Sequence, residues 1–197
     1  YIQNYTGGVN SCAWSPDSTR LLSAGYGRCL QVWDAATGKQ LHNIQGHIRW
    51  LVSCAWSPDS TRLLSASSVG SLRVWDAATG KPILNMQDHS GLLFFCAWSP
   101  DSTCLLSAGA ERSLRVWDTV TIFQLLNLPA LPIWFISCAW SPDSTRLLSA
   151  SSDGSLRVWD AATGTPILNI QGHNCEVNFC AWSPDSTRLL SDRKSVV

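Results

Sequence analysis

A serine, a histidine and an aspartate recur along the chain, and together they are the residue types of a hydrolase triad. Such a triad needs a nucleophilic hydroxyl, an imidazole base and a carboxylate that orients the base. All of these residues belong to a repeating pattern, however, and no polar constellation converges outside it. We therefore expect them to have structural roles and predict that the chain is not an enzyme.

Tryptophan is the second residue type that could carry chemistry, because indole rings can stack on bases or sugars. The chain has 11 tryptophans, and nine of them stand at two repeating positions. We expect these nine to be core residues that pack one repeat on the next. Trp50 and Trp134 fall outside the pattern. The nine are Trp14, Trp56, Trp98, Trp140 and Trp182 at one position, and Trp33, Trp75, Trp117 and Trp159 at the other.

Eight cysteines could indicate disulfides or a metal site. Five of them occupy one repeating position and are each followed by Ala-Trp, as a small buried hydrophobic residue would be. The other three are scattered, with no Cys-x-x-Cys pair and no histidine at ligand spacing. We expect reduced thiols in a cytoplasmic protein, with no metal and no cofactor. The five are Cys12, Cys54, Cys96, Cys138 and Cys180.

The elements that must position these side chains come from a repeat of 42 residues. The block Cys138–Asp160 reads CAWSPDSTRLLSASSDGSLRVWD, and it recurs with changes from Cys12, Cys54 and Cys96 and in truncated form from Cys180. A fixed period of this length indicates a repeat architecture. Within residues 51–88 the residues alternate with period two, and turns separate predicted strands at 51–56, 62–66, 71–75 and 82–86. Four short strands in about 40 residues predict one blade of a β-propeller.

Several marks in a fixed order make the chain resemble the WD-repeat family. They are a Gly-His pair, as at Gly46-His47 and Gly172-His173, a Ser-Pro-Asp turn, a Ser-Asp-Gly turn at 152–154 and the closing Trp-Asp. The resemblance covers residues 1–191 and implies an all-β, partial WD-repeat β-propeller. Four full four-stranded blades lie at about 9–46, 51–88, 93–130 and 135–172, with an incomplete fifth at 177–191. Since such propellers usually have about seven blades, the resemblance implies a fragment of a larger ring.

The last residues depart from the repeat. We expect residues 1–191 to form the propeller fragment and residues 192–197 to be a non-native or artefactual tail, since these six break the pattern. The near-identical copies also resemble the repeat arrays of NACHT-type signalling proteins.

The resemblance implies a buried hydrogen-bond network in each blade, made by a histidine, a hydroxyl, a carboxylate and a tryptophan. No copy has the full set, because Val69 replaces the aspartate in the second copy and Leu131 replaces the histidine in the fourth. We expect these gaps to leave polar groups without partners and to lower stability. The members are Ser23 and Trp33; His47, Ser65 and Trp75; His89, Ser107, Glu111 and Trp117; Ser149, Asp153 and Trp159; and His173.

Two segments vary most between copies: the one after the Gly-His position and the turn between the second and third strands. In a propeller both reach the same face, near the central channel. Arginine and aromatic residues are common anchors of protein interfaces, so we expect a partner-binding face there. Drift in tolerant loops is the alternative explanation. The candidate residues are Tyr26, Arg28, Arg49, Trp50, Arg112, Trp134, Phe135 and Glu176.

These patterns predict a non-catalytic scaffold or sensor module for protein–protein interaction, within a larger multidomain signalling protein. The alternative is a propeller that binds a small ligand or a glycan, which would favour the same pocket in every copy. The balance of 14 basic and 14 acidic side chains argues against nucleic acid or a membrane surface as partner. The open strand edges of an incomplete array predict self-association.

Overall fold

The computed structural model describes residues 7–87, 89–121, 123–128 and 133–193, with Arg193 described in its backbone only. All regular elements in these ranges are β-strands. None of these residues forms a helix long and apolar enough to cross a membrane. Leu131 and residues 194–197 of the expected tail lie outside the described ranges.

In the described ranges, eighteen strands form five antiparallel sheets, and strands that follow one another in sequence are neighbours in each sheet. The first sheet contains β1 (Val9–Trp14), β2 (Arg20–Gly25), β3 (Cys29–Asp34) and β4 (Gln40–Gln45). The second contains β5 (Leu51–Trp56), β6 (Arg62–Ser67), β7 (Leu72–Asp76) and β8 (Pro82–Met86). The third contains β9 (Leu93–Trp98), β10 (Cys104–Gly109), β11 (Leu114–Asp118) and β12 (Gln124–Leu128). The fourth contains β13 (Phe135–Trp140), β14 (Arg146–Ser151), β15 (Ser155–Asp160) and β16 (Pro166–Gln171), and the fifth contains β17 (Val177–Trp182) and β18 (Leu189–Arg193).

Four four-stranded sheets and one two-stranded sheet confirm the prediction of four full blades and an incomplete fifth. The strand bounds in the second sheet differ slightly from those predicted. Its second strand runs to Ser67, and its third strand covers Leu72–Asp76. Pairing of Arg62 with Asp76 accounts for the later end, because the hairpin register continues past the tryptophan to the aspartate.

The chain divides into two compact units, an N-terminal unit of residues 1–98 and a C-terminal unit of residues 99–197, and the division falls after the first strand of the third sheet. Each unit has its own apolar core. In the N-terminal unit, Leu22 and Leu30 belong to one buried cluster with Leu51 and Trp56. In the C-terminal unit, a buried cluster includes Val177. Alternation along each strand produces these cores, because every second side chain points to the same face of the sheet.

The fifth sheet continues beyond the end predicted for the propeller. Asp192 pairs with Phe179, and Arg193 pairs with Val177, so β18 includes the first two residues of the expected tail. Strand pairing uses main-chain groups, which any residue other than proline supplies. That residues 192–197 are non-native stays a prediction.

Candidate functional site

The Ser-Pro-Asp turns fix the loop at one end of each blade. In the second sheet, the Ser57 hydroxyl donates to Asp59 Oδ1 at 2.5 Å, and the backbone N–H and hydroxyl of Thr61 donate to the same oxygen at 3.0 and 2.7 Å. Ser60, between them, has a φ of 59°. A left-handed residue is uncommon outside glycine and costs energy. The carboxylate thus holds a strained turn closed, and the repeating aspartate is structural.

The aspartate of the Trp-Asp pair caps the next turn. Asp76 Oδ1 accepts hydrogen bonds from the backbone N–H of Thr79 at 2.7 Å and from its hydroxyl at 2.6 Å. The N–H of Gly80 donates to the Asp76 carbonyl at 2.8 Å, and the φ of Gly80 is 69°. These bonds lower the pKa of Asp76 below its usual value, with the Thr79 hydroxyl as the largest cause. This carboxylate is engaged in its own turn.

The second sheet holds a buried polar network. His47 Nε2 lies 2.7 Å from Ser65 Oγ, and the indole N–H of Trp75 donates to the same hydroxyl oxygen at 2.8 Å. His47 is only 8% exposed. Burial, followed by the positive charge of Arg73, lowers the pKa of His47 from 6.5 to about 4. The imidazole is therefore neutral at physiological pH and ties the segment before β5 to strands β6 and β7.

Ser71 gives His47 a second hydrogen-bond partner in this network. The Ser71 hydroxyl lies 3.2 Å from His47 Nδ1. That the missing aspartate of the second copy lowers stability stays a prediction. Ser71 is not one of the four family positions, so the resemblance did not predict its role. The signal was present, since Ser113 and Ser155 stand at the same position in the next two copies.

The tryptophan and serine of the network are bonded in the other sheets as well. Trp117 donates to Ser107 at 2.8 Å, Trp159 to Ser149 at 2.9 Å and Trp33 to Ser23 at 2.9 Å, in each case from the indole N–H to the hydroxyl oxygen. His89 is buried, and His173 Nε2 lies 2.8 Å from Ser191 Oγ. The tryptophan–serine bond is thus common to four sheets.

Carboxylates near these groups make ion pairs within their own sheets. Asp153 accepts hydrogen bonds from the N–H and hydroxyl of Ser155 at 3.0 and 2.6 Å and lies 3.2 Å from the Arg157 guanidinium. Glu111 accepts from the Ser113 hydroxyl at 2.8 Å and lies 3.6 Å from the guanidinium of Arg115. The longer glutamate therefore reaches the serine of its turn, as the aspartate does.

The cysteines at the repeating position are core residues except the first. Burial raises the pKa of Cys54 and of Cys96 to about 12 and that of Cys180 to about 11, so these thiols stay protonated. No disulfide joins any two of the eight cysteines, all of which lie in the described ranges. Cys12 is exposed, which corrects the expectation for this position. Cys54 packs in a cluster with residues of the first sheet. Cys12 lies in the first sheet itself, and no described residue covers it in the same way.

The tryptophans of the first-strand position behave in the same way. Trp56, Trp98 and Trp140 are buried, whereas Trp14 is 59% exposed, so the expectation that all nine repeating tryptophans are core residues is wrong for Trp14. The difference arises because the preceding copy supplies the cover. The guanidinium of Arg20, on β2, lies 4.6 Å from the centre of the Trp56 ring.

In the N-terminal unit, two variable segments do meet. Tyr26 and Trp50 have ring centroids 6.0 Å apart at an interplanar angle of 45°, and both side chains are exposed. Arg28 and Arg49 are also exposed. The Trp50 carbonyl accepts a hydrogen bond from the Ser68 N–H at 3.0 Å, which fixes the backbone of the segment. We call Tyr26, Arg28, Arg49 and Trp50 the N-terminal patch.

In the C-terminal unit, a corresponding group surrounds a small cavity. Arg112, Trp134 and Glu176 line a space of about 260 Å³ together with Ile133 and Ser152. The Trp134 N–H donates to the Ser152 hydroxyl at 3.1 Å, and the Ser152 N–H donates to the Trp134 carbonyl at 3.0 Å. We call Arg112, Trp134 and Glu176 the C-terminal patch.

Phe135 does not belong to either patch. Its side chain is fully buried, with 0% exposure. It begins β13 beside exposed Trp134, and consecutive strand residues point to opposite faces. The inclusion of Phe135 in the partner-binding face is therefore corrected, because Phe135 is a core residue.

Comparison with known proteins agrees with this architecture. No curated protein matches the chain in a sequence search. The family model described as IFT122 first beta-propeller matches residues 8–195, which is nearly the whole chain. The match spans all five sheets, and it confirms the resemblance to WD-repeat propellers. The chain belongs to the IFT122 first beta-propeller family.

Proposed function

We propose that the chain is a non-catalytic platform for protein recognition, and that it binds partners through the N-terminal and C-terminal patches. The observation that carries this proposal is the contact of Tyr26 with Trp50, two exposed aromatic rings supplied by two different variable segments. Exposed aromatic side chains beside arginines are typical of interface hot spots. Both patches combine these residue types.

Rigidity favours this use of the patches. The backbone on either side of each tryptophan is held by hydrogen bonds, from Ser68 to Trp50 and between Ser152 and Trp134. A side chain on a fixed backbone loses less conformational entropy when a partner binds. The opposite charges of Arg112 and Glu176 around Trp134 would give the C-terminal patch specificity as well as contact area.

The potential catalytic groups support a non-catalytic role. His47 is buried with a low pKa and bonded to hydroxyls on both ring nitrogens. A general base needs a pKa near the working pH and access to a substrate. Raised thiol pKa values make Cys54 and Cys96 poor nucleophiles.

The family gives a context for this role. As a member of the IFT122 first beta-propeller family, the chain would act as the interaction module of a larger cytoplasmic multidomain protein. The balanced charge makes proteins, rather than nucleic acids or membranes, the expected partners. We further propose that the isolated chain self-associates, since Trp14 in the first sheet and Leu190 in the fifth are exposed apolar residues at 59% and 62%.

Quantitative affinity capture with the full chain tests the main proposal. A true partner should be captured by the wild type and lost at least about tenfold with Trp50→Ala or Trp134→Ala, since hot-spot truncations cost more than about 1.4 kcal/mol. Phe123→Ala is the matched control, because Phe123 is 73% exposed but lies outside both patches. Capture of the same proteins at the same level by all four forms would reject the proposal.

A further inference from the structure

A contact between an arginine and a tryptophan recurs along the chain. The arginine begins the second strand of a sheet, and its guanidinium lies over the first-strand tryptophan of the next copy. The distances to the ring centre are 4.6 Å for Arg20 over Trp56, 4.6 Å for Arg62 over Trp98 and 4.7 Å for Arg146 over Trp182. An arginine over an indole ring within about 6 Å is a favourable cation–π pair.

Two further groups complete the surroundings of each guanidinium. Arg146 lies 3.5 Å from Asp143 Oδ2 and donates to the Ser186 carbonyl at 2.7 Å. Arg20 likewise lies 3.6 Å from Asp17 Oδ2. It donates to the carbonyls of Ser60 at 3.2 Å and Ala77 at 3.5 Å. The guanidinium groups of Arg20 and Arg146 are therefore each held by a ring face, a carboxylate and at least one main-chain carbonyl.

In the third copy this arginine is replaced by Cys104. An open cleft of about 560 Å³ lies where the other copies have the arginine side chain. Its lining includes Asp101, Cys104, Trp140, Ser144 and Ala161. Ser144 and Ala161 are the repeat equivalents of Ser60 and Ala77. Among the residues that the structure describes, no cation lies over the Trp140 ring and no arginine pairs with Asp101. The groups that hold a guanidinium elsewhere are present here without one.

We propose that this cleft binds the guanidinium group of an arginine side chain from a partner protein. The incoming group stacks on Trp140 and pairs with Asp101 Oδ2. It donates to the carbonyls of Ser144 and Ala161, as Arg20 does to those of Ser60 and Ala77. A planar guanidinium suits this arrangement better than the compact ammonium of lysine. The cleft lies outside both patches, so this proposal does not depend on the function proposed for them.

Cys104 contributes to this site through its small size. Burial raises the pKa of its thiol, and the charges of Asp101 and Asp118 raise it further. A protonated thiol is a weak nucleophile, so covalent chemistry at Cys104 is not part of the proposal. Removal of the long arginine side chain is what opens the cleft.

A tripeptide titration tests the proposal on the full chain. The probe is N-acetyl-Gly-Arg-Gly-amide, followed by calorimetry and by the indole N–H resonance of Trp140. We expect one saturable site, and at least tenfold weaker binding of the analogue with neutral citrulline in place of arginine. The lysine analogue should bind less tightly than the arginine peptide. Equal affinity for the arginine and citrulline peptides, or no saturable binding, would overturn the proposal.

Variants at Cys104 locate the binding. Cys104→Arg should fill the cleft, abolish binding of the peptide and raise the melting temperature, whereas the matched control Cys104→Ser should bind as the wild type does. Asp101→Asn should weaken binding by about two- to fivefold, as expected for a partly exposed ion pair. Unchanged binding by a folded Cys104→Arg variant would show that the peptide binds elsewhere.

A gain of binding is the strictest test. Arg20→Cys removes the guanidinium over Trp56 and should create a second, equivalent cleft, so that two peptides bind per chain. A folded Arg20→Cys variant that binds only one peptide would contradict the proposal. If Arg20→Cys does not fold, the Cys104 variants test the proposal instead. Trp50→Ala should leave peptide binding unchanged, which separates this site from the patches.

Discussion

The hydroxyl of Ser65 lies 2.7 Å from His47 Nε2 while it also accepts the indole proton of Trp75. An indole N–H can only donate, so the hydroxyl proton of Ser65 is available to the imidazole. When Ser65 donates to Nε2, the proton of the neutral imidazole is on Nδ1, and the Ser71 oxygen lies 3.2 Å from that nitrogen. These contacts give hydrogen-bond partners to His47, Ser65, Ser71 and Trp75 in a buried place.

The low pKa of His47 predicts acid sensitivity. In the folded chain its pKa is about 4, below the usual 6.5, so the unfolded chain takes up a proton first as pH falls. The contribution of neutral His47 to the free energy of unfolding is fully present above pH 6.5. Roughly 2–4 kcal/mol of it is lost as the pH falls from 6.5 to 4. Chemical denaturation at several pH values measures this loss.

His47→Gln is the control for the acid sensitivity, since glutamine cannot titrate in that range. This variant should be less stable at pH 7 but should lose little more between pH 6.5 and 4. Asp185, whose pKa is lowered to about 2 chiefly by the Ser183 hydroxyl, titrates below the window. The same pH slope in wild type and variant would refute the assignment to His47.

Val69→Asp should stabilise the second sheet. The copies at 54–87 and 138–171 differ at three of 34 positions, and one of these is Val69 against Asp153. Asp153 bonds to Ser155 and pairs with Arg157, and the second sheet has Ser71 and Arg73 at those positions. Arg73 Nε is buried without a hydrogen-bond partner. We expect a gain of about 1 kcal/mol, or about 2–4 °C in melting temperature.

The reverse change provides a matched control for Val69→Asp. Asp153→Val should lower the melting temperature by a similar amount, because it leaves Arg157 and Ser155 without their carboxylate partner. Calorimetry of both variants measures the two shifts. A decrease with Val69→Asp, or no effect of either change, would contradict the role assigned to this position.

Asp59→Ala should destabilise the turn that it closes. The carboxylate accepts three hydrogen bonds, one from Ser57 and two from Thr61, and it holds Ser60 in a left-handed conformation. We expect a loss of about 1–2 kcal/mol in the free energy of unfolding. Ser60→Gly is the complementary change and should be neutral or stabilising, since glycine adopts this φ without strain. Denaturant titration that gives the opposite order would reject this account of the turn.

Self-association should depend on the exposed end of the repeat. Trp14 is 59% exposed, and Arg188, the repeat equivalent of Arg20, is exposed and lies over no tryptophan ring among the described residues. Arg188 of one copy could therefore stack on Trp14 of another. Light scattering at micromolar concentration should show oligomers that Trp14→Gln or Arg188→Ala reduces. A monomer in the wild type would exclude this association.

Much of the fold could be predicted because its causes are local. The 42-residue repeat, the alternation of apolar residues and the Ser-Pro-Asp turns depend on neighbours in sequence, and four full sheets with a two-stranded fifth follow from them. The Trp75–Ser65 hydrogen bond could be predicted for the same reason, because β6 and β7 form one hairpin. The sequence also distinguished the exposed, variable Trp50 and Trp134 from the repeating tryptophans.

Only the tertiary structure decided the features that depend on a neighbouring copy. Trp14 is exposed and Trp56 is buried although both follow Cys-Ala, because the first sheet covers only the second of them. Phe135 is buried because its side chain points to the core face of its strand. Ser71 contacts His47 although the two residues are 24 positions apart in sequence. In other copies an arginine covers the tryptophan of the next copy. The cleft at Cys104 is open because the shorter cysteine replaces that arginine. A repeat determines the shape of each module, but packing between modules determines which of its side chains remain accessible to a partner.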